Sequence, residues 1–387
     1  MEQPVLTHSK KVIYPILFGF FVMGFADVVG IATNHVKVDF SLSDTLANLL
    51  PMMVFLWFAI FSIPTGIWMG KISKRNTVAL SFLITVIAML IPLFFYDFKS
   101  ILVAFALLGI GNTILQVSLN PMIAYVVNPG KMTSVLTLGQ FIKAISSFLG
   151  PIITGFAASY FGDWKWIFLA YSVTSLFAFL WLVLTIPQKE EQTETNATFS
   201  STLSLFKDTY IRILFFGILF IVGLDVGLNT TIPKLLIEKT GMSLNEAGLG
   251  TSLYFAARTL GSFTGAILLA KYNATRFLRN SILLAIIAFI FMFFSNNLWV
   301  LFTIIAMIGF MCANVFSILF SLALQHKPER ANEISALMIM GISGGALITP
   351  LMGIVSDYFG LISSLSILLI CMLYICFISI THKQISK

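Results

Sequence analysis

PQKEEQTETNATFSSTLSLF, residues 187–206, is the one long polar stretch in a chain of 387 residues that otherwise passes from one apolar run to the next. Its Glu, Thr and Ser content cannot bury enough apolar surface to fold alone, so it reads as a linker. Six apolar runs precede it, near residues 12–34, 46–70, 77–96, 100–127, 133–158 and 165–186. Six follow, near 211–237, 245–270, 279–296, 298–325, 334–356 and 361–382. A helix needs about 20 apolar residues to cross a bilayer. With 58% hydrophobic residues, 10% charged residues and a mean hydropathy of +0.97, the chain carries more apolar surface than a soluble core could bury. The expected fold is an all-α polytopic membrane protein with twelve transmembrane helices. Residues 1–187 form one six-helix half, 188–210 a linker and 211–387 the other half.

The first run is too long for a signal-peptide core and no A-x-A-like cleavage site follows it, so it reads as a retained helix. Cys312, Cys371 and Cys376 lie inside apolar runs without metal-ligand spacing and read as packing residues. No cofactor or metal is expected. The net charge of +7 would suggest nucleic acid for a soluble protein, but here topology accounts for it and no nucleic-acid partner is expected. Of 23 Lys and Arg, only Lys37, Lys99, Lys165, Lys234 and Lys239 fall on one side of the spans, and Lys143 and Arg258 lie mid-helix. The rest fall on the other side, with both termini and the linker. By the positive-inside rule that side is cytoplasmic, in a multi-pass protein of the inner (plasma) membrane surrounded by lipid. The sequon Asn196-Ala-Thr198 is then a chance match.

The halves repeat each other. Gly109-Ile-Gly-Asn112 and its sequel align with Gly309 and its sequel at an offset near 200, Pro151-Ile-Ile-Thr-Gly155 answering Pro350-Leu-Met-Gly353. Gly24-Phe-Ala-Asp27-Val echoes Gly223-Leu-Asp225-Val, and Ser41-Leu-Ser-Asp44 and Ser243-Leu-Asn-Glu246 read as N-caps of the second and eighth helices. Two pseudo-symmetric six-helix halves imply the major facilitator architecture, with a substrate site between the halves near the bilayer midplane.

Specific motifs narrow this. Leu115-Gln-Val-Ser-Leu-Asn-Pro121, Phe320-Ser-Leu-Ala-Leu324 and the run Ser335-Ala-Leu-Met-Ile-Met-Gly-Ile-Ser-Gly-Gly-Ala346 with Pro350-Leu-Met-Gly353 carry a resemblance. Pro64-Thr-Gly66 followed by Lys74-Arg75 fits it as well. Across its whole length the chain resembles the fucose:proton symporter family of major facilitators, which includes bacterial glucose/galactose permeases. The family's first-helix acid falls one turn later, near Gly30, so Asp27 is a displaced counterpart. At Gln116 the fucose branch carries Glu and the glucose/galactose branch Gln. Gln140 matches a family glutamine, and Lys143 stands where the fucose branch has Asn. Asp225 falls where the sugar permeases carry Glu, and Cys312 where many relatives have Asn. Lys71, Lys74 and Arg75 resemble a degenerate form of the superfamily's loop motif, whose cations meet a helix end and hold the inner gate shut.

Mid-helix polar residues mark the candidate site, because a buried charge is costly in a bilayer and usually faces a polar path. They are Asp27, Gln116, Gln140, Lys143, Asp225, Asn229, Arg258 and Asn314. Asp27 and Asp225, the mid-helix acids, are the candidate proton-coupling residues. Lys143 and Arg258 balance their charge, either as structural ion pairs to these acids or as substrate contacts. Gln116, Gln140, Asn229 and Asn314 offer amide donors and acceptors that match sugar hydroxyls, and Phe21, Phe25, Phe141, Tyr254 and Phe255 offer ring faces. Gly24, Gly30, Gly111, Gly150, Gly265, Gly344 and Gly345 suggest close helix packing.

The expected function is secondary active transport, a proton-coupled uptake of a monosaccharide or related hydroxylated molecule by alternating access, with the sugar and protons as partners and a monomer as the working unit. An exporter or antiporter, or an importer of an acidic sugar selected by Lys143, is the alternative. The absence of an H-E-x-x-H helix, of paired His ligands and of an appended signalling domain argues against an enzyme or sensor.

Overall fold

In a bilayer each backbone amide must find its partner within the chain, and the apolar segments meet that demand as helices. The computed structural model describes residues 10–42, 46, 49–127, 131–186, 198–242 and 244–385. In chain order the long helices are α1 (Lys10–Met23 and Val29–Asp39, joined by a 3-10 turn, Gly24–Val28), α2 (Leu49–Ile72), α3 (Lys74–Phe94), α4 (Phe98–Val126), α5 (Met132–Phe161) and α6 (Trp166–Thr185). A short linker helix, Phe199–Ser204, leads to α7 (Thr209–Thr240), α8 (Leu244–Leu268), α9 (Ala274–Phe294), α10 (Leu298–Cys312 and Val315–His326), α11 (Ala331–Met340 and Gly344–Phe359) and α12 (Leu361–Ile385). Among the described residues ten helices are long and apolar enough to span a membrane. The other two of the twelve are α1, broken by its 3-10 turn, and α8, which carries Arg258 within its length.

Side chains close the helix ends. Asp97, Asp208 and Asn297 each accept two backbone N–H bonds at the starts of α4, α7 and α10, and Asn273 accepts one at α9. These bonds satisfy amides that have no intrahelical partner. The Ser100 hydroxyl and the amides of Ser100 and Lys99 hold the Asp97 carboxyl below the usual carboxylate range. At the far end of α9, Lys239 donates to the carbonyls of Met292, Phe293 and Ser295 at 3.0, 2.9 and 2.9 Å, a cation placed at the negative end of a helix. Ser43, Asp44 and Ser243 of the expected caps, and residues 187–197 of the linker, lie outside the described residues.

The chain forms two compact units, and the division runs through α5 and α11. Unit 1 holds Met1–Met132, Ile142–Ser204 and Lys327–Met340; unit 2 holds Thr133–Phe141, Leu205–His326 and Gly341–Lys387. In unit 1 the first part of α11 lies against α2 and α4. Ser335 Oγ donates to Val117 O at 2.8 Å, and Gly66 leaves room for the methyl group of Ala336. Thr198 and Ser201 exchange bonds at the start of the linker helix in a capping box. The buried Glu333 accepts from Ser201 Oγ at 2.6 Å and pairs with Arg330. Arg75 meets a helix end, but within its own unit: Nη2 donates to Val183 O at 2.8 Å in the last turn of α6. In unit 2 the first turns of α5 are tied to α10 by a Thr133–Ser321 hydroxyl bond of 2.6 Å, and to α8 by Ser134 donating to Ala266 O at 2.6 Å.

The internal repeat is built into the packing. A Cβ at Gly109 of α4 would run into the Val54 carbonyl of α2, and one at Gly309 of α10 would meet the Tyr254 carbonyl of α8 at 2.6 Å. Both pairs are related by the same offset of 200, so each half uses one glycine to let the same two helices touch backbone to backbone. Gly109→Val and Gly309→Val are each expected to lower the thermal midpoint of purified protein, since overpacking a core costs about 1–3 kcal/mol. Ala at solvent-clear Gly155, where nothing lies within 4 Å, is the control. Gly30 likewise has open space around it, unlike the other glycines expected to mediate close packing.

Candidate substrate and proton site

Each unit brings its own polar cluster to mid-helix depth. In unit 1 the centre is the 3-10 turn of α1, which replaces the unbroken helix expected from the sequence. Gly24 opens this turn with α5 pressed against it, for a Cβ there would meet the Lys143 carbonyl at 2.7 Å and Ser146 Cβ at 2.7 Å. The half-buried Asp27 accepts a hydrogen bond from Ser147 Oγ at 2.5 Å, with Lys143 O, 3.1 Å from the same hydroxyl, as the alternative acceptor. Among the described residues this hydroxyl is the one hydrogen-bond donor to the Asp27 carboxylate, and no cation lies within 4.0 Å of it. Tyr171 of α6 stands within electrostatic reach of Asp27, its ring stacked on Phe25 at 3.8 Å.

Gln116 is buried in α4. Its Nε2 donates to Asn112 Oδ1 at 2.7 Å, while Asn112 Nδ2 donates to Met23 O, also at 2.7 Å. Asn112 was not among the residues singled out from sequence. Only its place beside Gly109 in the repeat could have drawn notice, because its partner lies 89 positions away. Lys143 is half-buried, and no described carboxylate lies within 4.0 Å of its ammonium, so of the two roles left open for it a direct ion pair is not formed among the described residues. The Lys143 backbone carbonyl packs against α1 at Gly24.

In unit 2 the expected pairing of acid and base forms. Arg258 Nη2 lies 2.6 Å from Asp225 Oδ2, and Tyr254 OH donates to Asp225 Oδ1 at 2.5 Å. Tyr254 and Arg258 are four residues apart and so share a face of α8, from which both reach the same carboxylate of α7. Cys312 of α10 lies within electrostatic reach of the pair. Asn314 is engaged in packing: its Nδ2 donates to Gly261 O at 3.0 Å, and the missing side chain of Gly265 makes its room. Gln140 and Asn229 are half-buried, and their amides make no hydrogen bond to another described residue. Of the aromatic faces considered, Phe25 and Tyr254 are fully buried in protein, whereas Phe21, Phe141 and Phe255 keep partial exposure.

An all-α chain of two units, each a bundle of membrane-length helices with charged groups at mid-span, has the construction of a polytopic transporter. The Major Facilitator Superfamily model matches residues 16–234 and 214–385, and the chain belongs to that superfamily, whose members are membrane transporters and not enzymes. The "Glucose/galactose transporter" of Brucella abortus is 24% identical over 376 residues, covering 92% of this chain and 90% of the relative. The "Putative glucose/galactose transporter" of Helicobacter pylori is 27% identical over 395 residues, covering 94% and 95%. Among solved structures the E. coli fucose:proton symporter, FucP, matches with a TM-score of 0.81 at 18% identity over 95% of this chain and 97% of that one, a likeness of fold.

Proposed function

We propose that this chain is a proton-coupled importer of a monosaccharide, working by alternating access, with Asp27 as the proton site. The observation that carries the proton assignment is the Asp27 carboxylate itself, held at mid-span by one serine hydroxyl and with no described cation within 4.0 Å. Such an acid changes charge without breaking an ion pair. Asp225, by contrast, is fixed in this conformation by Arg258 and Tyr254. Full-length similarity to two transporters whose names give glucose and galactose supports the sugar class. Gln140 and Asn229 then offer their amides directly to hydroxyls, Gln116 acts through α4, and Asn314 holds α10 to α8. The working unit is a monomer in the inner membrane, with halves 1–187 and 211–387 and both termini cytoplasmic.

A thermal-shift screen of purified protein against neutral and acidic monosaccharides tests the substrate class. A ligand at 100 times its Kd stabilises the folded state by about 2.7 kcal/mol. Stabilisation by neutral hexoses is expected; stabilisation by lipophilic cations and by no sugar would overturn the reading. Gln140→Leu should raise the half-saturation constant about tenfold, from the loss of about 1.4 kcal/mol of binding energy. Unchanged half-saturation would remove Gln140 from the site. Lys143 supports a second reading, because an ammonium with no described carboxylate partner could receive the carboxylate of an acidic sugar. In that case the screen responds to hexuronates, and Lys143→Met abolishes the response at every pH.

A further inference from the structure

The break in α1 has a partner in α4. Across the four steps from Met23 to Asp27 a 3-10 turn advances about 120° per residue where an α-helix advances about 100°, so the two conformations aim Asp27 in directions about 80° apart. In the 3-10 form Asp27 meets Ser147 Oγ. The 3-10 turn also shifts backbone donors by one residue, so carbonyls at the junction bond three residues on and not four. Met23, the last α-helical residue before the turn, gives its carbonyl to Asn112 Nδ2 at 2.7 Å. Met23 and Asn112 are both buried, so this side-chain bond adds a second donor to the carbonyl at the head of the turn, away from water.

The second half of the chain supplies the comparison. At the offset of 200 that relates Gly109 to Gly309, Asn112 corresponds to Cys312, whose thiol is a weak donor. The counterpart of α1 is α7, and it runs unbroken from Thr209 to Thr240 through Asp225. The break occurs where the amide donor is present and is missing where the thiol replaces it.

We propose that Asn112 is the positioning residue of the proton site: its hydrogen bond to Met23 O holds the 3-10 turn that faces Asp27 toward Ser147. Gln116 Nε2, bonded to Asn112 Oδ1, holds the Asn112 amide with its Nδ2 toward Met23. This inference rests on the reading of Asp27 as the proton site. The titratable neighbours of Asp27 are Tyr171 from α6, Lys143 from α5 and His35 further along α1; α4 and α2 carry Lys99 and Lys71 near their ends, about 20 Å from the Asn112 level in the case of Lys99.

Sugar affinity measured against pH in detergent, on the full chain, tests it. Binding linked to a proton at Asp27 should change wild-type affinity at least about fivefold between acid and alkaline conditions. Asp27→Asn should flatten that ratio, and Asn112→Leu should also flatten it, to below about twofold, with Asp27 still present. Asn112→Ser, which keeps a short polar group, carries the same readout if the leucine variant does not fold. A carboxylic C=O infrared band that titrates in wild type and vanishes in Asp27→Asn should be shifted in Asn112→Leu. If Asp27→Asn flattens the ratio while Asn112→Leu and Asn112→Ser keep it, the role of Asn112 is refuted and the proton site stands. If Asp27→Asn keeps the ratio, the proton-site reading fails, and this inference with it.

Discussion

Asp27→Asn is expected to abolish sugar accumulation driven by a pH gradient while leaving counterflow exchange largely intact. Asparagine has nearly the shape of a protonated aspartate, and Ser147 can still bond its carbonyl oxygen, so the local packing is preserved. What is lost is the change of charge. For one proton per sugar, a gradient of one pH unit is worth about 1.36 kcal/mol and supports at most about tenfold accumulation. The variant should reach a ratio near one under the same gradient. Exchange of labelled for unlabelled sugar requires the loaded carrier to reorient without releasing a proton, and an always-neutral residue allows that. Asp225→Asn is the comparison: it should weaken the protein's stability more than it weakens coupling. Accumulation undiminished in Asp27→Asn would remove the residue from the proton path.

Arg258→Met should be the most destabilising of the charge substitutions. Asp225 receives the guanidinium and the Tyr254 hydroxyl on its two oxygens, and its side chain is 11% exposed against 25% for Arg258. Removing one partner of a buried ion pair leaves an uncompensated charge, at a cost of about 3–5 kcal/mol. The partial exposure of Arg258 puts the expectation at about 3 kcal/mol, the lower end. The double change Asp225→Asn with Arg258→Met removes the stranded charge and should recover most of the loss in a thermal-denaturation series. A double variant as unstable as Arg258→Met alone would mean that Arg258 holds something other than Asp225.

Much of this arrangement is legible in the residues. Apolar length sets ten of the helices, because a helix satisfies every backbone group within its own segment. The offset of 200 anticipates the paired glycines at 109 and 309, where a side chain has no room. The Asp225–Arg258 pair follows from charge balance, one of the two roles that the sequence left open for Arg258. The α1 break is not legible, since Gly24-Phe-Ala-Asp-Val contains no proline and each residue is compatible with an α-helix. The tertiary donor that meets it, Asn112 on Met23 O, comes from 89 positions away and cannot be seen in any local window. The partner of Lys143 is not legible for a similar reason: mid-span charge implies a polar environment but does not say which atoms supply it. Asn314 reads as a sugar ligand by type, yet Gly261 and Gly265 on α8 are what its amide meets.

Sugar-evoked proton movement in proteoliposomes loaded with a pH indicator tests the central claim most directly. With the membrane potential clamped, the external hexose that stabilises the protein in the thermal-shift screen should acidify the lumen of vesicles holding the wild-type chain, at a rate that follows sugar entry, and Asp27→Asn vesicles should show no acidification. Sugar entering without any change in lumenal pH, or acidification that persists in Asp27→Asn, would contradict the account.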